Sequence, residues 1–339
     1  MLDKDFSNTA FMVDLDGTFI NAWGRGFGEQ IVSDEHKALA HDIYAQGGTM
    51  VLSTGRVPFT CKQIINETEK QGKMHIVACN GSYVETADGR VLRDARIKPS
   101  TIRKLINFIE SIECGHEETK VPVKKIVLGI INQTPRINLK CDGSDSELVK
   151  ADYVQTPVEQ ILGCTGHRID VYGGHKLYHK ADPNDQFGYI DIDKLAFEAS
   201  LSQANGLLLM SLAGPEASKE LARLVSEKFG AELNYVNAYE ITPAGVDKKT
   251  GLELLLKDDC MKGRDNLVAI GDGQNDLPML ELAPRNAFMI ENDSESPYFN
   301  NIRFKSDEKL KFVQWTNSLT EAVNKVSIQR PDNKASLIK

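Results

Sequence analysis

Long apolar runs are missing from this chain of 339 residues. None approaches the roughly 18 residues that span a bilayer, so no membrane partner is expected. The opening stretch, MLDKDFSNTAF, lacks the basic flank and apolar segment of a secretory leader. A surplus of positive charge is also missing: 40 Lys and Arg stand against 48 Asp and Glu, a formal charge of −8. That excludes the basic footprint of a nucleic-acid binder. Cysteines 61, 79, 114, 141, 164 and 260 are scattered without a CxxC pair. In a chain of this length they read as reduced thiols in a cytoplasm, not as a disulfide framework. There is no internal repeat and no low-complexity segment. GRGFG (24–28) resembles a dinucleotide loop on paper, but no strand immediately precedes it. His175 and His179 in HKLYH have ligand-like spacing only on a helix, and that segment reads as strand or loop. CGHEETK (114–120) reads as an exposed loop.

What is present suits a globular chain of two domains: 41% hydrophobic and 26% charged residues over a length that can bury a large core. Four short apolar runs end abruptly in small or polar residues: FMV before Asp14, MVL before Ser53-Thr54-Gly55, IVAC before Asn80-Gly81, and LVAI before Gly271-Asp272. Apolar runs without alternation imply strands buried on both faces, as in a parallel sheet covered by helices. Between the first two runs, Ser33 can cap a helix, Asp34 and Glu35 suit its positive end, and Gly47-Gly48 stop it. The result is strand–helix–strand, the unit of a doubly wound α/β fold. KKTGLELLLK (248–257) predicts a helix leading into the LVAI strand.

The middle of the chain differs. Strand-like KKIVLGII, HRIDVY and GLLLMSLAG alternate with the amphipathic STIRKLINFIESIE and PEASKELARLVSEKFG, and ELNYVNAYEIT follows. An α+β cap inserted into the doubly wound, mainly parallel core is therefore expected. The boundaries are placed at 1–86 and 242–327 for the two parts of the core and 87–241 for the cap, with a polar tail at 328–339.

Ligands of open α/β sheets bind beyond the carboxyl ends of the strands. There the runs deliver Asp14 and Asp16, Thr54, Asn80, and Asp272 with Asp276, while Lys248 precedes the last strand by one helix. Four carboxylates and one lysine make a hard, oxygen-rich pocket that suits Mg²⁺. Residues two apart on a strand point the same way, so Asp14 and Asp16 can face one substrate. One carboxylate can attack phosphorus, and a second can give and take a proton. Gly17 lets the chain turn and bring backbone N–H groups toward a phosphate.

Asp14-x-Asp16-Gly17-Thr18, Thr54-Gly55-Arg56, Lys248 in GVDKKTGLELL, and GDGQNDLPML (271–280) resemble the four motifs of the haloacid dehalogenase (HAD) superfamily, in the family's order. Within it the chain looks most like the Cof-type sugar-phosphate phosphatases, whose C2 cap lies between the second and third motifs. The core match covers about half the chain. The loop after Thr18, FINAWGRGFGEQIVS, departs by being longer and richer in glycine, and ENDSESPYFNN beyond Ile290 keeps only a loose likeness.

The resemblance implies Asp14 as nucleophile and Asp16 as general acid/base. It implies Mg²⁺ bound by Asp14, the backbone carbonyl of Asp16, and Asp272, with Asp276 in support. Phosphoryl contacts fall to Gly17, Thr18, Thr54, Gly55, Lys248 and Asn275. Asn80 and Gly81 lie near the cap hinge. Arg56 is either a structural anchor or a contact behind the site. Ser53 rivals Thr54 for the phosphate; Thr54 is chosen because it adjoins Gly55-Arg56 as in the family. The expected activity is Mg²⁺-dependent hydrolysis of a small phosphorylated metabolite, a sugar phosphate, through an aspartyl-phosphate. The alternatives are a phosphomutase, which would need a bisphosphate activator, and a non-catalytic sugar-phosphate-binding protein on the same fold. A C–halogen hydrolase is disfavoured, because it needs neither Mg²⁺ nor an acid at Asp16.

Overall fold

The structure is a computed structural model that describes residues 4–20, 32–68, 74–113, 115–123, 126–132, 169–173, 176–180, 189–191, 201–202, 204–211, 214–237, 239–292 and 301–328. The GRGFG segment, His175 and the tail from 329 lie outside them. His179 falls in a strand, as its sequence suggested. The four apolar runs form β1 (Thr9–Val13), β2 (Thr49–Ser53), β3 (His75–Ala78) and, late in the chain, β13 (Asn266–Gly271). They pair in parallel, with β1 between β13 and β2. The chain therefore winds outward from β1 to one side and returns on the other, which makes the carboxyl end of β1 the switch point where such sheets bind ligands.

Parallel β14 (Ala287–Ile290) and β15 (Gln314–Thr316) extend one edge, and the antiparallel hairpin β4 (Tyr83–Glu85) and β5 (Val91–Asp94) closes the other. β5, which lies beyond the 86/87 boundary placed from the sequence, still pairs with β4 in the first sheet. The chain leaves only after Asp94.

Strands buried on both faces must divide their side chains by period two, and they do. Phe11, Val13, Leu52, Val268 and Ile270 join one cluster with α1 (Asp34–Ala45), α2 (Pro58–Glu67) and α7 (Leu319–Lys325). Met12, Val51, Val77 and Ala269 join the opposite one with α5 (Lys248–Leu256) and α6 (Leu277–Leu280). α1 begins where the sequence signals it, with the Ser33 hydroxyl accepting from His36 N–H at 3.1 Å. α5 begins at a reciprocal cap between Asp247 and Thr250, so its first residue, Lys248, points into the sheet end.

The second sheet is antiparallel throughout, in the order β11 (Leu233–Tyr235), β12 (Glu240–Pro243), β10 (Ala204–Ser211), β6 (Ile126–Asn132), β7 (Ile169–Gly173), β8 (Lys176–Lys180) and β9 (Tyr189–Asp191). α3 (Pro99–Glu113) and α4 (Pro215–Phe229) bury Leu105, Ile109, Leu221 and Val225 against Leu207 and Leu209 of β10. The alternate residues Leu208 and Met210 belong to a cluster of the first sheet, so β10 serves both cores. β12 spans 241/242, where the return to the core was expected. Among the described residues no helix is long and apolar enough to cross a membrane, and Cys61, Cys79 and Cys260 are free.

Candidate active site

Asp14 follows the last residue of β1, and its N–H continues the ladder to Ile270 O at 2.9 Å. Asp272 follows β13 in the same way. Because the two strands are neighbours, acids 258 positions apart in sequence meet: oxygens of Asp14, Asp272 and Asp276 all lie within 4.8 Å of one another. Lys248 Nζ is fully buried and donates to Asp14 Oδ1 at 2.5 Å and Asp276 Oδ1 at 2.6 Å. The other oxygen of Asp276 accepts from the N–H groups of Asp272 (3.1 Å) and Gly273 (2.9 Å), fixing the turn that carries Asp272.

Asp16 takes a different partner. Its carboxylate receives Arg56 Nε at 2.7 Å and Nη2 at 2.5 Å, a two-pronged pair. The expectation that Asp14 and Asp16 face one way assumed a continuing strand. β1 stops at Val13, so the two-residue period lapses and each aspartate turns to its own cation. Arg56 is thus an anchor for Asp16.

Burial, with the Asp276 charge beside it, pushes the Asp14 carboxyl up to about 8, although Lys248 pulls the other way. Burial and the neighbouring Asp14 and Asp276 raise Asp272 well above the carboxylate range. For Lys248 burial opposes the charge, but Asp14 and Asp276 outweigh it and hold its pKa above the ordinary value. Carboxyls forced to keep protons are a cluster short of positive charge. The donor set is entirely carboxylate oxygen, which fits a hard divalent cation such as Mg²⁺.

Two glycines permit this approach. Gly17 (φ +78°) stands where a Cβ would lie 2.1 Å from Asp272 Oδ2. Gly81 (φ +91°) leaves no room for a Cβ against Asp247 O, so it seats the start of α5 and hence Lys248. The N–H groups of Gly17 and Thr18 close the turn onto Ile20 O and Leu15 O. The Thr18 hydroxyl is enclosed without a partner. The backbone N–H groups of Leu15, Asp16 and Gly55, by contrast, donate to no described residue. Thr54 Oγ1 accepts from Arg56 N–H at 3.0 Å, whereas Ser53 Oγ is buried with no partner.

Asn275 donates to Asn80 Oδ1 at 3.0 Å, and Asn80 in turn donates to Glu240 at 3.2 Å. Asn80 sits in the left-handed region (φ 49°), which asparagine tolerates better than most residues. Sequence reasoning missed Glu240. It also missed Asn301, whose amide donates to Asp272 O (2.8 Å) and Ile290 O (2.6 Å) and so holds the Asp272 backbone. Neither carries a local signal: Glu240 reads as a strand residue and Asn301 as part of a polar loop.

A parallel sheet whose switch point carries clustered carboxylates, one buried lysine and unspent backbone N–H groups defines a class of α/β hydrolases. Residues 11–132 and 151–325 match the haloacid dehalogenase-like hydrolases, and the chain belongs to that family. The fold is similar to several solved structures. A haloacid dehalogenase-like hydrolase from B. subtilis is 19% identical, with a TM-score of 0.58, covering 93% of this chain and 97% of its own. A phosphatase of the HAD superfamily from Bacteroides thetaiotaomicron is also 19% identical, with a TM-score of 0.55 and coverages of 95% and 96%. A HAD subclass IIB sugar phosphatase is 14% identical, with a TM-score of 0.55 and coverages of 94% and 96%. No curated protein matches the sequence.

Proposed function

We propose that the chain is a Mg²⁺-dependent phosphatase of the Cof type that hydrolyses small phosphate monoesters, sugar phosphates foremost, through an aspartyl-phosphate on Asp14. The observation that carries this reading is the meeting of Asp14, Asp272, Asp276 and Lys248 beside the unspent N–H groups of Leu15, Asp16 and Gly55. A sugar phosphatase among the structural relatives is consistent with the substrate class.

The dianionic phosphoryl group docks on those N–H groups and on Lys248, and Asp14 Oδ attacks phosphorus. The P–O bond to the leaving alcohol breaks as that oxygen takes a proton from Asp16. Asp16, now ionised, removes a proton from water attacking the aspartyl-phosphate. The P–O bond to Asp14 breaks, releasing phosphate and a free Asp14. Arg56 keeps Asp16 in place. Asp14, Asp272 and the Asp16 carbonyl, with Asp276 behind them, would hold Mg²⁺, whose charge offsets that of the transferring phosphoryl group. Uncatalysed hydrolysis of such esters is slow enough to call for accelerations up to ~10²¹-fold. A covalent route combined with preorganised charge suits that demand.

The test is phosphate release from a panel of sugar phosphates and p-nitrophenyl phosphate, with Mg²⁺ and with chelator. Turnover should require Mg²⁺. Asp14→Asn should lower it by at least about 10⁴-fold with unchanged circular dichroism. Near wild-type release by that variant would rule out attack by Asp14.

A further inference from the structure

One charged group in the cleft has no part in the chemistry so far. Glu240 begins β12, at the turn of the β11–β12 hairpin, which brings it from the second sheet to the catalytic end of the first. Its Oε2 accepts from Asn80 Nδ2 at 3.2 Å and from Asn237 Nδ2 at 2.5 Å. Asn237 Oδ1 accepts from the N–H groups of Tyr239 (3.0 Å) and Glu240 (2.7 Å), so the turn braces the carboxylate from behind. Oε1 accepts no hydrogen bond from any described residue. It lies directly over Gly55, where a Cβ would come within 2.7 Å of it. Gly55 therefore clears space for a carboxylate beside one of the unspent N–H groups. The side chain is half-buried; burial raises its pKa, while Lys248 and the hydrogen bonds from Asn80 and Asn237 hold it down and favour the carboxylate.

Among the described residues the two cations at the site are already paired, Lys248 with Asp14 and Asp276 and Arg56 with Asp16. Among the described residues Glu240 is thus a carboxylate with no cationic partner at the mouth of an anion-binding cleft. Such a charge opposes any phosphorylated substrate unless the substrate answers it with a hydrogen-bond donor. A hydroxyl can do so, because an ionised carboxylate is an acceptor only. A second phosphate or a carboxylate on the leaving group cannot, and is repelled.

We propose that Glu240 is the residue that selects the leaving group, its Oε1 accepting a hydrogen bond from a hydroxyl of a neutral polyhydroxylated phosphate ester and excluding acidic ones. This rests on the phosphatase reading above and specifies its substrate class. A hydrogen bond to a charged acceptor of this kind is worth about 10- to 100-fold in kcat/KM.

The test compares a hexose 6-phosphate with a phosphorylated hydroxy acid as substrates of wild type, Glu240→Gln and Glu240→Ala, each checked for an unchanged melting temperature. Glutamine still accepts from Asn80 and Asn237 but offers the substrate an amide. The ratio of kcat/KM for the sugar ester to that for the acidic ester should fall at least tenfold in both variants. A purely structural role would lower both values together and leave the ratio intact. That result, or no change at all, overturns the proposal. Wild-type protein that hydrolyses neither ester would instead sink the phosphatase reading, and this inference with it.

Discussion

The inner and outer halves of the cleft use the same chemistry of carboxylate and cation to opposite ends. In the inner half Lys248 is fully buried between Asp14 and Asp276, and Asp276 is itself wholly enclosed and bonded to two N–H groups. In the outer half Arg56 grips an Asp16 whose side chain is 20% exposed, and one Glu240 oxygen accepts from no described residue. Sealed charges have one low-energy arrangement, because any displacement leaves a desolvated ion without a partner. The outer charges are less completely enclosed, with Asp16 and Glu240 partly exposed, so they can exchange partners when a substrate arrives. In the family reading the first half supplies a fixed reaction centre and the second adapts to what is brought to it.

Removing the buried cation should show the largest contrast. Lys248→Met leaves Asp14 and Asp276 facing each other in a dry pocket, and about 3–5 kcal/mol of stability should be lost. Phosphate release should vanish as well. Arg56→Met at the partly open pair should cost only about 1.5–3 kcal/mol, the range for a hydrogen bond to a charged group. Denaturant melts of both variants at pH 8 without metal make the comparison. Equal losses would mean that the two halves do not differ in the way described.

The inner cluster also makes a signed prediction about pH. Asp14 is raised from 3.8 to about 8, so between those values the metal-free fold holds a proton that the unfolded chain has released. Stability from this group is therefore greatest below pH 3.8 and is lost as pH climbs toward 8. Asp14→Asn cannot ionise, and metal-free it should overtake the wild type with rising pH, by up to about 1.4 kcal/mol per unit. Mg²⁺ must displace the same proton, so its affinity for the wild type should strengthen as pH rises toward 8. Calorimetric titration at pH 6, 7 and 8 reads this directly. An affinity independent of pH would show that the cluster holds no such proton.

A smaller effect is expected where the backbone, and not a charge, sets the geometry. Gly17→Ala would place a methyl 2.1 Å from Asp272 Oδ2 on a backbone at φ +78°. Asp272 must yield, weakening Mg²⁺ binding by roughly 10- to 100-fold, as for other disturbances behind a metal ligand. The strain itself should cost only about 1–3 kcal/mol. If Mg²⁺ affinity is unchanged, Asp272 does not hold the ion.

Legibility in the sequence follows the range of the cause. β1, β2, β3 and β13 could be read because strands buried on both faces are continuous apolar runs, and α1 because Ser33, Asp34 and Gly47 mark its ends. The meeting of Asp14 with Asp272 followed from motif order, since neighbouring parallel strands end at one level. The β4–β5 hairpin escaped because β5 is short and partly exposed at a sheet edge, so neither run nor alternation marks it. The pairing of Arg56 with Asp16, the reach of Asn301 to Asp272 O, and the seat of Glu240 over Gly55 are tertiary facts with no local pattern. Arg56 stands out beside Thr54-Gly55 with its role open; Asn301 and Glu240 do not stand out at all.

The smallest effects concern the neighbours Ser53, the last residue of β2, and Thr54, which follows it. Their hydroxyls differ in one respect: Thr54 Oγ1 accepts from Arg56 N–H, and Ser53 Oγ has no partner and no exposure. Thr54→Ala strands that N–H, costing about 1–3 kcal/mol, and loosens Arg56 on Asp16, so kcat should fall while KM for substrate also rises. Ser53→Ala removes a buried hydroxyl that bonds to nothing, and relieving that desolvation should leave stability level or raise it by roughly 0.5–2 kcal/mol. Melting temperatures and kcat/KM of the two alanine variants separate the cases. If Ser53→Ala proves the more damaging, the hydroxyl now without a partner is the one that meets the phosphate, and the two residues exchange roles.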